Sequence, residues 1–207
     1  MSTGPDLSSE RLILFTDAVI AITITLLALE IRPPEGAGGM SDAALGAALV
    51  ALGPAVLAWL LSFAVVGGFW ISHHRKFAFV PRVDGGLVLW NLLFLLAIGA
   101  VPFATALIAR NPGPLATALY GGVMTAGAAL LAAMWLHAGR AGLIDPALPV
   151  PARRLVLAGS LAVTGIFALS VPVALVLPDA AKFMWLLVLP VVLWRRQRTA
   201  ALRGEAP

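Results

Sequence analysis

From Leu12 to Ile31 the chain offers twenty residues with only two charges, Asp17 and Glu30. About twenty residues of helix cover the hydrocarbon core of a bilayer. Backbone N–H and C=O groups find no water there, so a spanning segment must be a helix or part of a closed barrel. Long apolar runs recur to the end of the chain, and composition agrees: 60% of the 207 residues are hydrophobic and 12% charged, against about half and a quarter in a soluble domain. The chain reads as an all-α integral membrane protein. No internal repeat or separate soluble domain is evident, so residues 1–207 read as one domain. The chain has no cysteine, which excludes disulfides, thiolate metal sites and cysteine nucleophiles. The first ten residues are polar and no small-residue cleavage site follows the first apolar run, so no cleavable signal peptide is expected.

Hydropathy and breakers predict six spans, at about 12–31, 43–79, 86–108, 115–136, 154–177 and 180–194. The first stops at Pro33-Pro34, and Ser41 is the expected N-cap of the second. The second is too long for one crossing, so its end, Ile71 to Phe77, is expected to project into water. Pro172 predicts a kink in the fifth. Past Trp194 the tail reads as basic and frayed. With the N-terminus inside, 11 of the 14 Lys and Arg residues fall on the inner side; Arg32, Arg110 and Lys182 remain outside. The positive-inside rule then puts both termini in the cytoplasm, which six spans satisfy. The basic excess is a topology signal, and no nucleic-acid partner is expected. Trp70, Trp90, Trp135, Trp185 and Trp194 fall near span ends, as interfacial aromatics do.

The first span has faces. At about 100° per residue, Ala18, Ile22, Thr25 and Leu29 share one narrow stripe, with Asp17 nearly opposite. The bland account of the stripe is helix packing, for which small and β-branched residues are suited. The bland account of Asp17 is a hydrogen-bonded anchor; a carboxylate at membrane depth costs about 2.5–3.5 kcal/mol by insertion assays unless it faces protein or water. Thr16, Thr23 and Glu30 recur every seven residues as a second seam, and Glu30 lies near the outer surface. Arg11, Thr16, Asp17, His73 or His74, and Asn91 are expected at one depth, where they can tie the first helix to the second and third. His137 and Arg140 read as solvated loop residues. A His-His pair without a further ligand at helical spacing is no metal motif, so neither a metal nor a cofactor is expected. Nothing in the chain makes a Ser/His/Asp arrangement or a phosphate-cradling loop, so an enzyme is not expected.

The run Arg11-x-x-x-Phe15-Thr16-Asp17-Ala18-Val19-x-Ala21-Ile22-x-Ile24-Thr25-Leu26 resembles the signature of the transmembrane protein 175 family, with Thr16 where Ser is usual. Phe69-Trp70-x-x-His73-His74-Arg75, Trp90-Asn91-Leu92-Leu93-Phe94 and Pro102-Phe103 extend the resemblance over the first three spans. The resemblance implies a potassium-permeable channel in a bacterial plasma membrane. A single six-helix unit of this kind implies a homotetramer around a central pore lined by the first helix of each subunit. Ile22, Thr25 and Leu29 take the positions of the pore constriction, and potassium is the permeant ion. Arg11, Thr16, Asp17, Trp70, His73 and Asn91 take those of a structural polar network behind it. No Thr-Val-Gly-Tyr-Gly run is present, so a carbonyl-cage filter of that kind is excluded; modest potassium preference would come from dehydration at the Ile22 ring. Two other readings stand beside it: a proton-coupled carrier or proton-permeable channel using Asp17 and His73, and a membrane subunit that transports nothing.

Overall fold

The structure, a computed structural model, describes residues 8–193 and Arg198. Eight helices can be named in it: α1 Ser9–Ala28, α2 Asp42–Ala51, α3 Gly53–Phe77, α4 Gly85–Gly99, α5 Val101–Arg110, α6 Pro114–Arg140, α7 Val150–Val176 and α8 Pro178–Trp185. No strand occurs among the described residues. Five stretches are long and apolar enough to cross a membrane, namely α1, α3, α4 with α5, α6 and α7. The fold is that of an all-α, multi-pass membrane protein.

Local chemistry sets the boundaries. The Ser8, Ser41 and Asp84 side chains accept from the backbone N–H groups of Arg11, Ala44 and Leu87, capping α1, α2 and α4. Such caps satisfy donors that a helix start leaves orphaned. Proline stands in the first two positions of α3, α5, α6, α7 and α8, where its missing N–H is no loss.

Proline also explains where the structure departs from the expected spans. The second span is broken at Leu52, because Pro54 has no N–H for the Val50 carbonyl and its ring crowds it. The third bends at Ala100, two residues before Pro102. The end of the second span does not project into water: His73, Lys76 and Phe77 are buried. Lys76 Nζ donates to the Leu131 carbonyl of α6 at 3.0 Å, so the α3 terminus lies under the bundle. The fourth span runs on to Arg140, which places His137 in a helix and not in a solvated loop. The fifth starts earlier, at Val150, and carries Pro172 inside it as expected. The sixth is helical in two pieces, α8 and residues 188–193, separated by a turn at Leu186–Leu187. Trp194 and the basic tail, Arg198 excepted, lie outside the described residues.

The core is organised around α6, which packs against α3, α4, α5, α7 and α8. Small residues let neighbours approach: a Cβ on Gly127 would stand 3.2 Å from the Phe69 ring. Close approach of this kind drives helix association where lipid offers no hydrophobic force. Two of the tryptophans expected at the interface are core residues. Trp135 donates to the Arg153 carbonyl at 3.1 Å and Trp185 to Ser170 Oγ at 2.9 Å. α1 lies at the side of this core, against α3, α4 and α5.

Candidate functional site

Burial divides α1 cleanly. Leu12, Thr16, Ile20, Thr23 and Leu27 are buried, at spacings of three and four that keep them on one face. Glu30 continues this seam and is paired with Arg110 of α5 at 3.3 Å. Ala18, Ile22, Thr25 and Leu29 occupy the middle of the opposite face and are exposed, Ile22 by 58% and Leu29 by 69%. The stripe found by helical arithmetic is thus the face of α1 that its own chain leaves uncovered. Thr25 Oγ1 donates to the Ile22 carbonyl at 2.7 Å. Its proton is spent on its own helix, and the hydroxyl oxygen keeps both lone pairs for a donor or a cation.

Two hydrogen-bonded anchors hold the other side. Asn91 of α4, fully buried, donates from Nδ2 to Thr16 Oγ1 at 2.9 Å, while its Oδ1 lies 2.9 Å from His73 Nε2. Because Oδ1 is a carbonyl oxygen, Nε2 carries the proton in this bond. The His73 ring is stacked on Phe77 and Phe94, with centroids 4.2 and 5.7 Å away. Its Nδ1 is buried without a hydrogen-bond partner among the described residues. The second anchor joins α1 to α3 directly: Trp70 Nε1 donates to Asp17 Oδ1 at 2.8 Å. Asp17 and His73 therefore sit in separate contacts.

The structure brings Thr16, Asp17, Trp70, His73 and Asn91 together and leaves Arg11 out. Arg11 is exposed, and its guanidinium makes no hydrogen bond or ion pair among the described residues. The cause is angular: at 100° per residue Arg11 falls within about 20° of Ile22 and roughly 140° from Thr16.

Sequence reasoning missed a second polar cluster. The hydroxyls of Thr105, Ser62 and Tyr120 lie in a row at 2.7 and 3.0 Å, joining α5, α3 and α6. Tyr120 stacks on Trp185 with centroids 4.7 Å apart. Tyr120 is the only tyrosine in the chain, and its place within an apolar span was the available signal.

Residues 11–102 match the family described as the endosomal/lysosomal potassium channel TMEM175. A protein of Streptomyces collinus named a potassium channel is 41% identical over 154 residues, 70% of this chain and 72% of that one. The chain belongs to the TMEM175 family. A second relative, from Chamaesiphon minutus and also named a potassium channel, is 39% identical over 135 residues, 63% of this chain and 66% of its own. The crystal structure of a TMEM175 homolog from Chamaesiphon minutus, described as a lysosomal potassium-selective channel, superposes with a TM-score of 0.77. It is 28% identical, and the match covers 90% of this chain and 97% of that one. The rat endosomal/lysosomal proton channel TMEM175 is 40% identical over 114 residues, 51% of this chain but 23% of that longer protein. The TMEM175 family match runs from α1 to the α4–α5 bend and so contains the exposed stripe and both anchors.

Proposed function

We propose that this protein is a potassium-permeable cation channel of a bacterial plasma membrane, with both termini cytoplasmic and four copies around a central pore. The observation that carries the reading is the uncovered stripe Ala18-Ile22-Thr25-Leu29, on a helix whose opposite face is fastened to the bundle. Membership of a family with relatives named potassium channels supports it.

In this reading Ile22 and Leu29 form apolar rings and Thr25 a hydroxyl ring between them. An ion at an apolar ring must shed part of its water. Potassium holds its shell less tightly than sodium and crosses at lower cost. Thr25 returns part of the lost coordination through the oxygen lone pairs that its donated bond to the Ile22 carbonyl leaves free. Selectivity of this origin is modest, and a narrow ring of isoleucine also gates by dewetting. Thr16, Asp17, Trp70, His73 and Asn91 act behind the pore: they hold α1 at its radius and do not touch the ion.

The test is the reversal potential of the purified protein in a planar bilayer with potassium on one side and sodium on the other. A shift toward the potassium potential is expected. No current above empty lipid, from protein shown to be a folded oligomer, would sink the channel reading and favour a subunit without transport. A second reading, proton permeation through Asp17 and His73, is favoured by the name of the rat relative. A reversal potential that follows a pH gradient at equal potassium would establish it.

A further inference from the structure

The end of the bundle that carries the basic turns holds an ion pair that the pore reading does not use. Asp84 stands between α3 and α4. Its Oδ1 accepts from the Leu87 N–H at 2.7 Å and caps α4. Both of its carboxylate oxygens also lie within hydrogen-bond distance of His137 Nε2, at 2.9 and 3.0 Å. His137 belongs to the last turn of α6. The imidazole reaches this position over Gly86: a Cβ there would stand 2.5 Å from its Cε1 and 2.8 Å from its Nε2. No other residue type leaves that seat open.

The contact has a route to α1. Asn91 follows Asp84 by seven residues, which at 100° per residue returns it to within about 20° of the same face. α4 is unbroken between them. The amide of Asn91 holds Thr16 of α1 and His73 of α3. One rigid segment of two turns therefore carries the tie to α6 at its start and the tie to α1 at its end.

Other charged groups brought to this end of the fold are committed elsewhere or turned outward. Lys76 of α3 donates to the Leu131 carbonyl. The Arg153 guanidinium of α7 donates to the carbonyls of Leu148, Asp145 and Pro146. Asp145 Oδ1 accepts from the Ala147 N–H. Arg75 and His74 of α3, Arg82 beside Asp84, Arg140 on α6 itself and Arg154 on α7 are exposed.

We propose that Asp84 and His137, seated over Gly86, form a positioning clasp that fixes α4 and, through Asn91, the pore helix, in a manner that follows the proton concentration at this end of the protein. The effect on current rests on the pore reading; the clasp itself rests on the contacts above. Burial pushes the Asp84 carboxyl up, but the Leu87 N–H and His137 outweigh it and hold the group below its usual range. Asp84 is thus ionised near neutrality, and imidazole is the partner type that gains and loses charge between about pH 5 and 8. A charged imidazole makes a full ion pair, and a neutral one keeps a hydrogen bond.

The experiment compares the full chain with Gly86→Ala, which fills the seat, and His137→Gln, which keeps a donor but cannot titrate. Potassium current is recorded in planar bilayers with pH changed on each side in turn. In the unmodified protein, current is expected to change about two- to fivefold between about pH 6 and 8 on one side only, the scale of one partly exposed ion pair. Both variants are expected to be flat. In detergent, the melting temperature of the unmodified protein is expected to differ between the two ends of that pH range by about 2 °C more than that of His137→Gln. Equal pH dependence of melting in all three proteins overturns the clasp. A melting difference with unchanged current profiles overturns its link to α1. A melting difference with no current from any of them removes the channel reading while supporting the clasp.

Discussion

The two faces of α1 are made of much the same residues and meet opposite surroundings. One carries Leu12, Thr16, Ile20, Thr23 and Leu27 and is buried; the other carries Ala18, Ile22, Thr25 and Leu29 and is exposed. Both hold hydroxyls bonded to their own helix: Thr23 donates to the Val19 carbonyl at 2.9 Å and Thr25 to the Ile22 carbonyl at 2.7 Å. The difference lies in what reaches across. Thr16 meets Asn91 of α4, whereas among the described residues no other side chain bonds to Thr25. In a membrane, apolarity does not separate a face that touches protein from one that touches lipid or a pore. Hydrogen bonds between helices do.

The largest expected effect comes from making the exposed face polar. Ile22→Asn should raise single-channel conductance by roughly tenfold, equivalent to about 1.4 kcal/mol off the barrier. It should also pull the potassium/sodium reversal potential toward zero. Unchanged conductance and selectivity would show that Ile22 is not the constriction, and the contrast between the faces would lose its functional meaning.

Damaging the buried face should do something different. Asn91→Leu removes both bonds of the amide and leaves Thr16 and His73 without their partner. A loss of about 1–3 kcal/mol in folding stability is expected, read by denaturation in detergent. Channels that still assemble should keep their selectivity. A changed potassium/sodium ratio at full stability would mean that Asn91 meets the ions itself.

Tyr120→Phe probes the second polar cluster. It takes one hydroxyl from the row with Ser62 and Thr105, and about 0.6–1.7 kcal/mol of stability should go with it. Selectivity and the pH profile of current should stay as they are. A shift in either would couple α6 to the pore by a path that avoids both anchors of α1.

The smallest effect concerns acid. Asp84 is held below the usual carboxylate range. Its contribution to stability is therefore complete above that range and fades as pH falls through the lower, folded value. Asp84→Asn should flatten the acid limb of stability against pH and still cap α4, since asparagine caps as well as aspartate. An unchanged acid limb would place the acid-sensitive group elsewhere.

Much of this comparison was legible in the chain. Period alone separates the stripe from the seam of hydroxyls seven residues apart; it does not say which of the two is buried, and packing was the bland account of both. The same arithmetic leaves Arg11 on the exposed side, so its expected place in the network yields to the helix geometry. Asn91 and one of His73 and His74 could be named because few polar residues share that depth, whereas Trp70 came from the family resemblance alone. The breaks at Leu52 and Ala100 were not among the expected span limits, although Pro54 and Pro102 carry the signal for them. What stayed hidden depends on three-dimensional approach. Lys76 looked like the watery end of a span, and only the packing of α6 above it shows the Leu131 carbonyl that accepts its hydrogen bond. His137 looked like a loop residue because nothing in the chain says that Gly86 leaves room for its ring. Trp135 and Trp185 sat where interfacial tryptophans sit, and their internal partners, a carbonyl and a serine, carry no signature.

The hydroxyl of Thr25 has a consequence of its own. Its proton points back along the helix, so in the proposed pore nothing would have to turn when an ion passes. A passing cation would meet an oxygen already set for it, and the same oxygen would repel an anion before contact. In the proposed tetramer four copies would repeat that preset at one depth, so that a change in one codon would become a change around the whole circumference.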